Sequence, residues 1–337
     1  VLPSNNYENI SGNAIFTSDE QLMLNKQGLW PTTGVTSPRG IIAGGDTGSI
    51  VNVIQYIDIS STGNATDFGD LTDGRNGLSA CGSDTRGVFS GGKALSTNSF
   101  TDIIDYITFS SIGNATDFGD LTTATQKVGG TSNNTRGLCA IGGATSAAEH
   151  INVVEYVTIA STGDATDFGN LSAARRLLAA GSSTTRAVVG GGTETGSHTK
   201  KDTIEYFTIA STGNATDFGN LATDTSKLAA VASATRLVFG GGENFSGRID
   251  TMSYVTIAST GNVTDFGDLT VARSELAGGV ASSTRGCFAG GGNSSGGRED
   301  TIDYITIGST GNATDFGNLT NTPTEPAGTA SSVAAQQ

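Results

Sequence analysis

The chain has 337 residues, of which 49 are Gly, 5 are Pro and 3 are Cys, and its net charge is −14. So acidic a chain argues against nonspecific binding to nucleic acid or to an anionic membrane surface, and no apolar run is long enough for a transmembrane helix. Cys81, Cys139 and Cys287 are odd in number and form no C-x-x-C pair, which points to small buried apolar residues rather than a disulfide frame or a zinc site.

Residues 1–30 do not repeat. Ser18-Asp19-Glu20 ahead of Leu22, Met23 and Leu24 has the form of a capped turn. The segment is expected to be an N-terminal arm, or a docking segment whose apolar residues need cover. A repeating domain is expected over 31–337, with its first complete run opening at Arg39. It is organised around Thr-Asp-Phe-Gly, which occurs six times, at 66–69, 116–119, 166–169, 216–219, 264–267 and 314–317, in steps of 50 residues with one of 48. Self-similarity at such a period marks a repeat architecture and overrides the two domains that length alone suggests.

The unit that starts at Leu78 shows four strand-like runs, A to D. Run A, 78–82, is small and apolar. A turn at Ser83-Asp84-Thr85 leads to run B, 86–90, which ends at Gly91-Gly92. A loop of variable sequence precedes run C, 102–110, which is apolar on both faces. The turn Ile112-Gly113-Asn114 supplies the positive φ of a tight hairpin and leads to run D, 115–121. Four short antiparallel strands, six times over, predict an all-β fold: a six-bladed β-propeller of four-stranded blades. Strand C is apolar on both faces because each blade packs between two others, and strand A lacks bulk because it lines a crowded centre. A solenoid of stacked hairpins, the rival, needs distinct capping repeats. The tail 326–331, PAGTAS, aligns without gaps on 228–233, LAAVAS. Segment 323–334 is therefore expected to supply strand A of the first blade and close the ring, with Thr32 to Ser37 as the competing segment.

Three repeated features carry a resemblance. Gly-Gly closes strand B at Gly44-Gly45, Gly91-Gly92, Gly142-Gly143, Gly191-Gly192, Gly241-Gly242 and Gly291-Gly292. Tyr follows on strand C at Tyr56, Tyr106, Tyr156, Tyr206, Tyr254 and Tyr304. An aromatic then stands on strand D at Phe68, Phe118, Phe168, Phe218, Phe266 and Phe316. This pattern resembles the kelch motif, with Phe where kelch repeats more usually carry Trp. The near-identical wording of the units, S-T-G-N-A-T-D-F-G, resembles the kelch-like repeat proteins of marine bacteriophages. The resemblance implies a virion surface protein without cofactor or catalysis, a decoration or tail-associated component on the particle. Its partners would be other virion proteins or a host surface glycan or protein. A purely structural virion component and a carbohydrate-active enzyme are the alternatives.

Little in the repeats suggests chemistry. Six D-F-G triplets lack the phosphate loop and H-R-D of a kinase, and read instead as Phe packing between blades beside a Gly that allows close approach. Asn64, Asn114, Asn214, Asn262 and Asn312 stand in glycosylation-type triplets, but Asp164 occupies the same place in the third copy, and Asn or Asp is what a turn wants. His150 and His198 sit in loops of neighbouring repeats with no obvious further ligands, so no metal site is expected. Galactose oxidase shares the kelch architecture, yet nothing here matches its copper ligands, and no Ser-His-Asp order or distinctive carboxylate pair appears.

Antiparallel order puts the A–B and C–D turns at one end of every blade and the B–C and D–A loops at the other. The first end is uniform. The second varies in its B–C loops, 46–52, 93–101, 144–152, 193–202, 243–250 and 293–300, and recognition is expected there. The bulky solvated candidates are Phe100, His150, His198, Lys200, Lys201, Phe245, Arg248 and Arg298. On the uniform end, Arg39, Arg86, Arg136, Arg186, Arg236 and Arg285 open strand B, and Asp67, Asp117, Asp167, Asp217, Asp265 and Asp315 stand near the start of strand D. Six Arg–carboxylate pairs ringing that face are expected, with a ring of free Arg for an anionic partner as the alternative.

Overall fold

The computed structural model describes residues 37–194 and 199–331; the arm at 1–30, most of the competing closing segment and the last residues of the tail lie outside them. The repeating part forms six four-stranded antiparallel sheets, each in the order A, B, C, D. In the second blade these strands are Ser79–Gly82, Arg86–Ser90, Thr101–Thr108 and Thr116–Thr125, so strand D continues past Leu121. The first blade takes strands B to D from Arg39–Ala43, Val53–Asp58 and Thr66–Asp70, and strand A from the other end of the sequence, Ala327–Ala330. That strand lies antiparallel to strand B, with Ala330 opposite Gly40 and Ala327 opposite Ala43. Beyond it the Ser331 N–H donates to the Arg39 carbonyl at 2.9 Å, and Ser331 Oγ accepts the Arg39 N–H at 2.8 Å.

The core lies between blades. Six apolar clusters each draw on two neighbours, because both faces of strands B and C are apolar and no blade can cover its own faces. Ile41, Ile54 and Phe68 of the first blade pack with Phe89, Ile107 and Phe109 of the second. Ile42, Ile57 and Ile59 pack with Val280, Ile302 and Phe316, so the sixth blade closes onto the first by the same kind of contact. The three Cys are buried in these layers and unpaired, and burial pushes the Cys81 and Cys287 thiols up to about 12. Native protein at pH 8 is therefore expected to resist a thiol-specific reagent that modifies all three Cys once the chain is denatured; rapid modification of the native protein would contradict this packing.

The near-identity of S-T-G-N-A-T-D-F-G has a geometric cause. In each copy the C–D turn of one blade clasps strand D of the blade before it. The Gly113 N–H donates to the Phe68 carbonyl at 2.9 Å and the Ala115 N–H to Asp70 at 2.8 Å, while Asn114 Oδ1 accepts the Asp70 N–H at 3.1 Å. Asp164 does the same for Asp120, which explains why Asn and Asp are interchangeable here: only the acceptor oxygen is used. Gly69 lies against this turn so closely that a Cβ would stand 2.5 Å from the Gly113 carbonyl. The clasp repeats round the ring to Asn64, which accepts the Asn318 N–H at 3.0 Å.

The inner strands stand just as close. A Cβ on Gly130 would meet the Ala80 carbonyl at 2.6 Å, and one on Gly328 would meet the Gly278 carbonyl at 2.2 Å, which is why strand A lacks bulk. The axial space holds small cavities, one of about 50 Å3 lined almost wholly by Gly, Ala, Ser and Thr, and one of about 100 Å3 whose lining adds Leu78, Val128, Leu178, Leu228, Leu276 and Pro326. At the loop end, six D–A residues form a closed circle of backbone hydrogen bonds. Lys127 donates to Gly77, Leu177 to Lys127, Lys227 to Leu177, Glu275 to Lys227, Glu325 to Glu275 and Gly77 to Glu325, at 2.6–3.2 Å. All six have left-handed backbones, with φ between 55° and 63°. Gly alone takes this conformation without steric cost, yet five of the six are not Gly, so ring closure imposes the conformation. Four carry charge and form ion pairs, Lys227 with its neighbour Glu275 at 3.0 Å and Lys127 with Glu325, past Gly77, at 3.4 Å.

Candidate recognition face

The six repeated Arg do not meet the six repeated Asp. Each guanidinium lies over the Tyr ring of its own blade, 4.1–5.2 Å from the centroid, and each Nη1 donates to the carbonyl just past strand C of the next blade. Arg86 reaches Ile159 at 3.1 Å, Arg136 reaches Ile209 at 2.8 Å, and Arg285 returns to Ile59 of the first blade at 2.8 Å. Arg186, Arg236 and Arg39 reach Ile257, Ile307 and Phe109. The Tyr in turn meets the strand-D Phe edge-on, as with Tyr156 and Phe168 at 5.8 Å. Arg, Tyr and Phe thus share one side of the sheet. Side chains alternate along a strand, so the Asp beside each Phe points the other way, and all six Asp are exposed. Among the described residues none of them pairs with an Arg of this set. Nor is this a ring of uncommitted cations: the Arg bind blade to blade, and the uniform end of the propeller is a structural collar.

The loop end is built differently. Several of its bulky side chains connect one blade to the next instead of standing in solvent. His150 is buried, 4% exposed, with Nε2 3.3 Å from Thr193 Oγ1 of the following blade. Lys200 Nζ lies 3.1 Å from Glu243 Oε1 and 5.3 Å from the Phe245 ring centre. Arg248 donates to Ser274 Oγ at 3.0 Å and to the Asn293 carbonyl, and Arg298 reaches Asp46 Oδ1 of the first blade at 3.0 Å. Lys201 pairs with Glu194 at 2.9 Å, and Phe100 is half-buried opposite Lys93. His198 lies outside the described residues. Of the candidates, Phe245 alone is a largely uncovered hydrophobe, 70% exposed; Leu95, 53% exposed, joins it on the loop end. At Glu243, partial burial opposes the charge, but hydrogen bonds and charge from Lys200 and Lys227 outweigh it and hold the carboxyl below its ordinary value. A lowered carboxyl contributes stability above its ordinary range and loses it as pH falls, so acid is expected to loosen the contact between the fourth and fifth blades.

Beneath these loops lies a feature that the fifty-residue period hides. Arg75, Arg175 and Arg273 are fully buried and recur every second blade, in steps of 100 and 98 residues. Arg75 Nη1 donates to the carbonyls of Gly91 and Ile103 at 2.9 and 2.8 Å, and Nη2 to Asp105 at 2.7 Å. Arg273 makes the same set with Gly290, Thr301 and Asp303 at 2.8, 2.8 and 2.6 Å, and Arg175 with Gly191, Thr203 and Glu205. Thr72 and Thr270 each donate twice to the two Asp. Burial pulls the Arg75 and Arg273 guanidinium groups downward, while the paired Asp opposes it. In the alternate blades the Arg position is Thr125, Thr225 or Pro323, and the carboxylate position is Glu155, Ser253 or Gln55. Gln55 is satisfied by Thr320 and Asn321, and Glu155 by Thr122. At the fifth blade a recess of about 150 Å3 remains, lined in part by Thr225, Phe239, Gly241, Asn244, Thr251 and Ser253.

Among the described residues no group of three or more His, Cys, Asp or Glu is arranged to hold a metal ion. Compared with known proteins, the chain matches no family model and no curated protein.

Proposed function

We propose that this propeller is a non-catalytic, kelch-like surface component of a bacteriophage virion, a decoration or tail-associated protein that engages a host surface or a neighbouring virion subunit through its loop end. The observation that supports the recognition reading is the contrast between the two ends. At the uniform end the turns are committed to clasps and the Arg to inter-blade contacts, so their sequence is constrained by the ring itself. At the loop end the side-chain contacts between blades differ from pair to pair, Phe245 and Leu95 stand exposed on the fifth and second blades, and a recess lies beside the hairpin that carries Phe245. The virion assignment rests on the wording of the repeat, which resembles kelch-like proteins of marine phages. A reconstruction of intact particles from a source that encodes this chain tests it. The propeller is expected at the particle surface with its loop end facing outward or against another subunit; its absence from the particle would overturn the assignment.

A further inference from the structure

We infer that the recess between the fourth and fifth blades takes the guanidinium group of an arginine side chain presented by a partner protein. This rests on the loop-end reading above and narrows it to one site and one chemistry. The reason is internal. Three times in this molecule the same place is filled by the chain's own guanidinium, held by two backbone carbonyls and a carboxylate.

The fifth blade keeps the frame of that site and lacks its occupant. Its two carbonyls belong to Gly241 and Thr251, which match Gly91 and Ile103 of the second blade. The Gly241 N–H donates to the Thr251 carbonyl at 3.2 Å, as the Gly91 N–H does to Ile103 at 3.0 Å, so the backbone has the same form. Both residues line the recess. Thr225 stands where the second blade has Arg75 and is too short to reach across. Ser253 stands where it has Asp105, and leaves a neutral acceptor in place of the charge. The volume, about 150 Å3, suits a single side chain; a cavity of roughly that size takes one benzene.

Asp224, Glu243 and Asp250 adjoin the lining residues Thr225, Asn244 and Ile249, and the cations Lys227 and Arg248 adjoin Leu228 and Ile249. Glu243 already shares its charge with Lys200 and Lys227, so the local charges nearly balance. The bias toward a cation comes from the chain as a whole, which carries −14. Guanidinium is the better fit than ammonium, because it is planar, more weakly hydrated and donates in several fixed directions at once. Phe245, exposed on the hairpin that contains Asn244, offers apolar surface for the residues around such an arginine.

The test titrates the full-length protein with N-acetylarginine methylamide and, separately, with N-acetyllysine methylamide, followed by calorimetry and by chemical shifts. Saturable binding of the arginine compound is expected, with shifts centred on Thr225, Gly241 and Ser253 and weaker binding of the lysine compound. Ser253→Asp restores the carboxylate and should tighten arginine binding by about tenfold, the worth of one charged hydrogen bond. The double variant T225R/S253D supplies the chain's own occupant and should abolish binding; Thr225→Leu, which blocks the recess without charge, should do the same if the double variant fails to fold. No saturation in either wild type or Ser253→Asp would overturn the inference, as would equal affinity for lysine or undiminished binding in the blocked variants. The loop-end reading fails separately. A partner that loses binding when the exposed loops are replaced, yet binds T225R/S253D as tightly as wild type, leaves that reading standing and removes this one.

Discussion

Deletion of every residue after Thr322 is expected to open the ring and abolish the cooperative melting of the propeller. The deletion removes the innermost strand of the first blade, Ala327–Ala330, and with it the whole ladder on the inner edge of Arg39–Ala43. It breaks the axial circle of backbone bonds at Glu325, and takes away Thr324, which exchanges backbone hydrogen bonds with Asp46 at 2.9 and 3.0 Å. The layer that joins the sixth blade to the first, where Ile42, Ile57 and Val280 meet, is left beside an unpaired strand edge. In the intact ring this edge is paired and faces the crowded axis; the deletion bares it, and an unpaired strand edge invites aggregation. Adding a peptide of residues 323–334 to the truncated chain should restore part of the transition, because the missing strand needs only to be present, not covalently attached. A truncated chain that melts at the temperature of the full protein would show that closure does not hold the fold together.

The second large effect is expected at the buried pairs. Asp303→Ala should cost about 3–5 kcal/mol, because Arg273 would remain fully buried with its charge unanswered. The effect of the double change R273T/D303S should be far smaller than the sum of the single ones, since it reproduces the combination already present at Thr225 and Ser253. That difference is a coupling energy, measured by a double-mutant cycle in denaturant. Additive effects would mean that the guanidinium and carboxylate do not depend on each other and would contradict the geometry seen in the second, fourth and sixth blades. The pairs need not raise net stability: apolar replacements of similar volume often do as well. What they do is fix the D–A segments beneath the loops.

The six blades were legible because each strand-D Phe and each strand-B Gly-Gly recurs in step, and a common period is what a repeat imposes on sequence. The repeated Arg bind backbone carbonyls of the next blade and not the repeated Asp, for a physical reason. Proximity along the rim suggested Asp, but the side on which a residue emerges depends on strand register, and strands C and D carry a bulge, as between Ile54 and Gln55, that sequence does not announce. Arg75, Arg175 and Arg273 do not show at the fifty-residue period because alternate units carry Thr or Pro in their place; they recur at twice that period, together with Asp105, Glu205 and Asp303 thirty residues on. Loop contacts were the least legible. Nothing in the residues around His150 or Arg248 says that each reaches the next blade, since their partners Thr193 and Asn293 lie in other repeats.

The central claim, that the uniform end serves only to hold the ring while the loop end also carries recognition, is tested most directly by a binding comparison. Wild type is measured beside a variant in which loops 93–101, 243–250 and 293–300 are replaced by the shorter loop 46–52, and beside Ile112→Asp, which alters the exposed apolar side chain of the uniform end. Each protein is first shown to melt cooperatively, then titrated onto host cells and onto particles that lack it. Loss of binding in the loop variant with full binding by Ile112→Asp is the predicted result. Full binding by the loop variant, or loss confined to Ile112→Asp, would contradict the account.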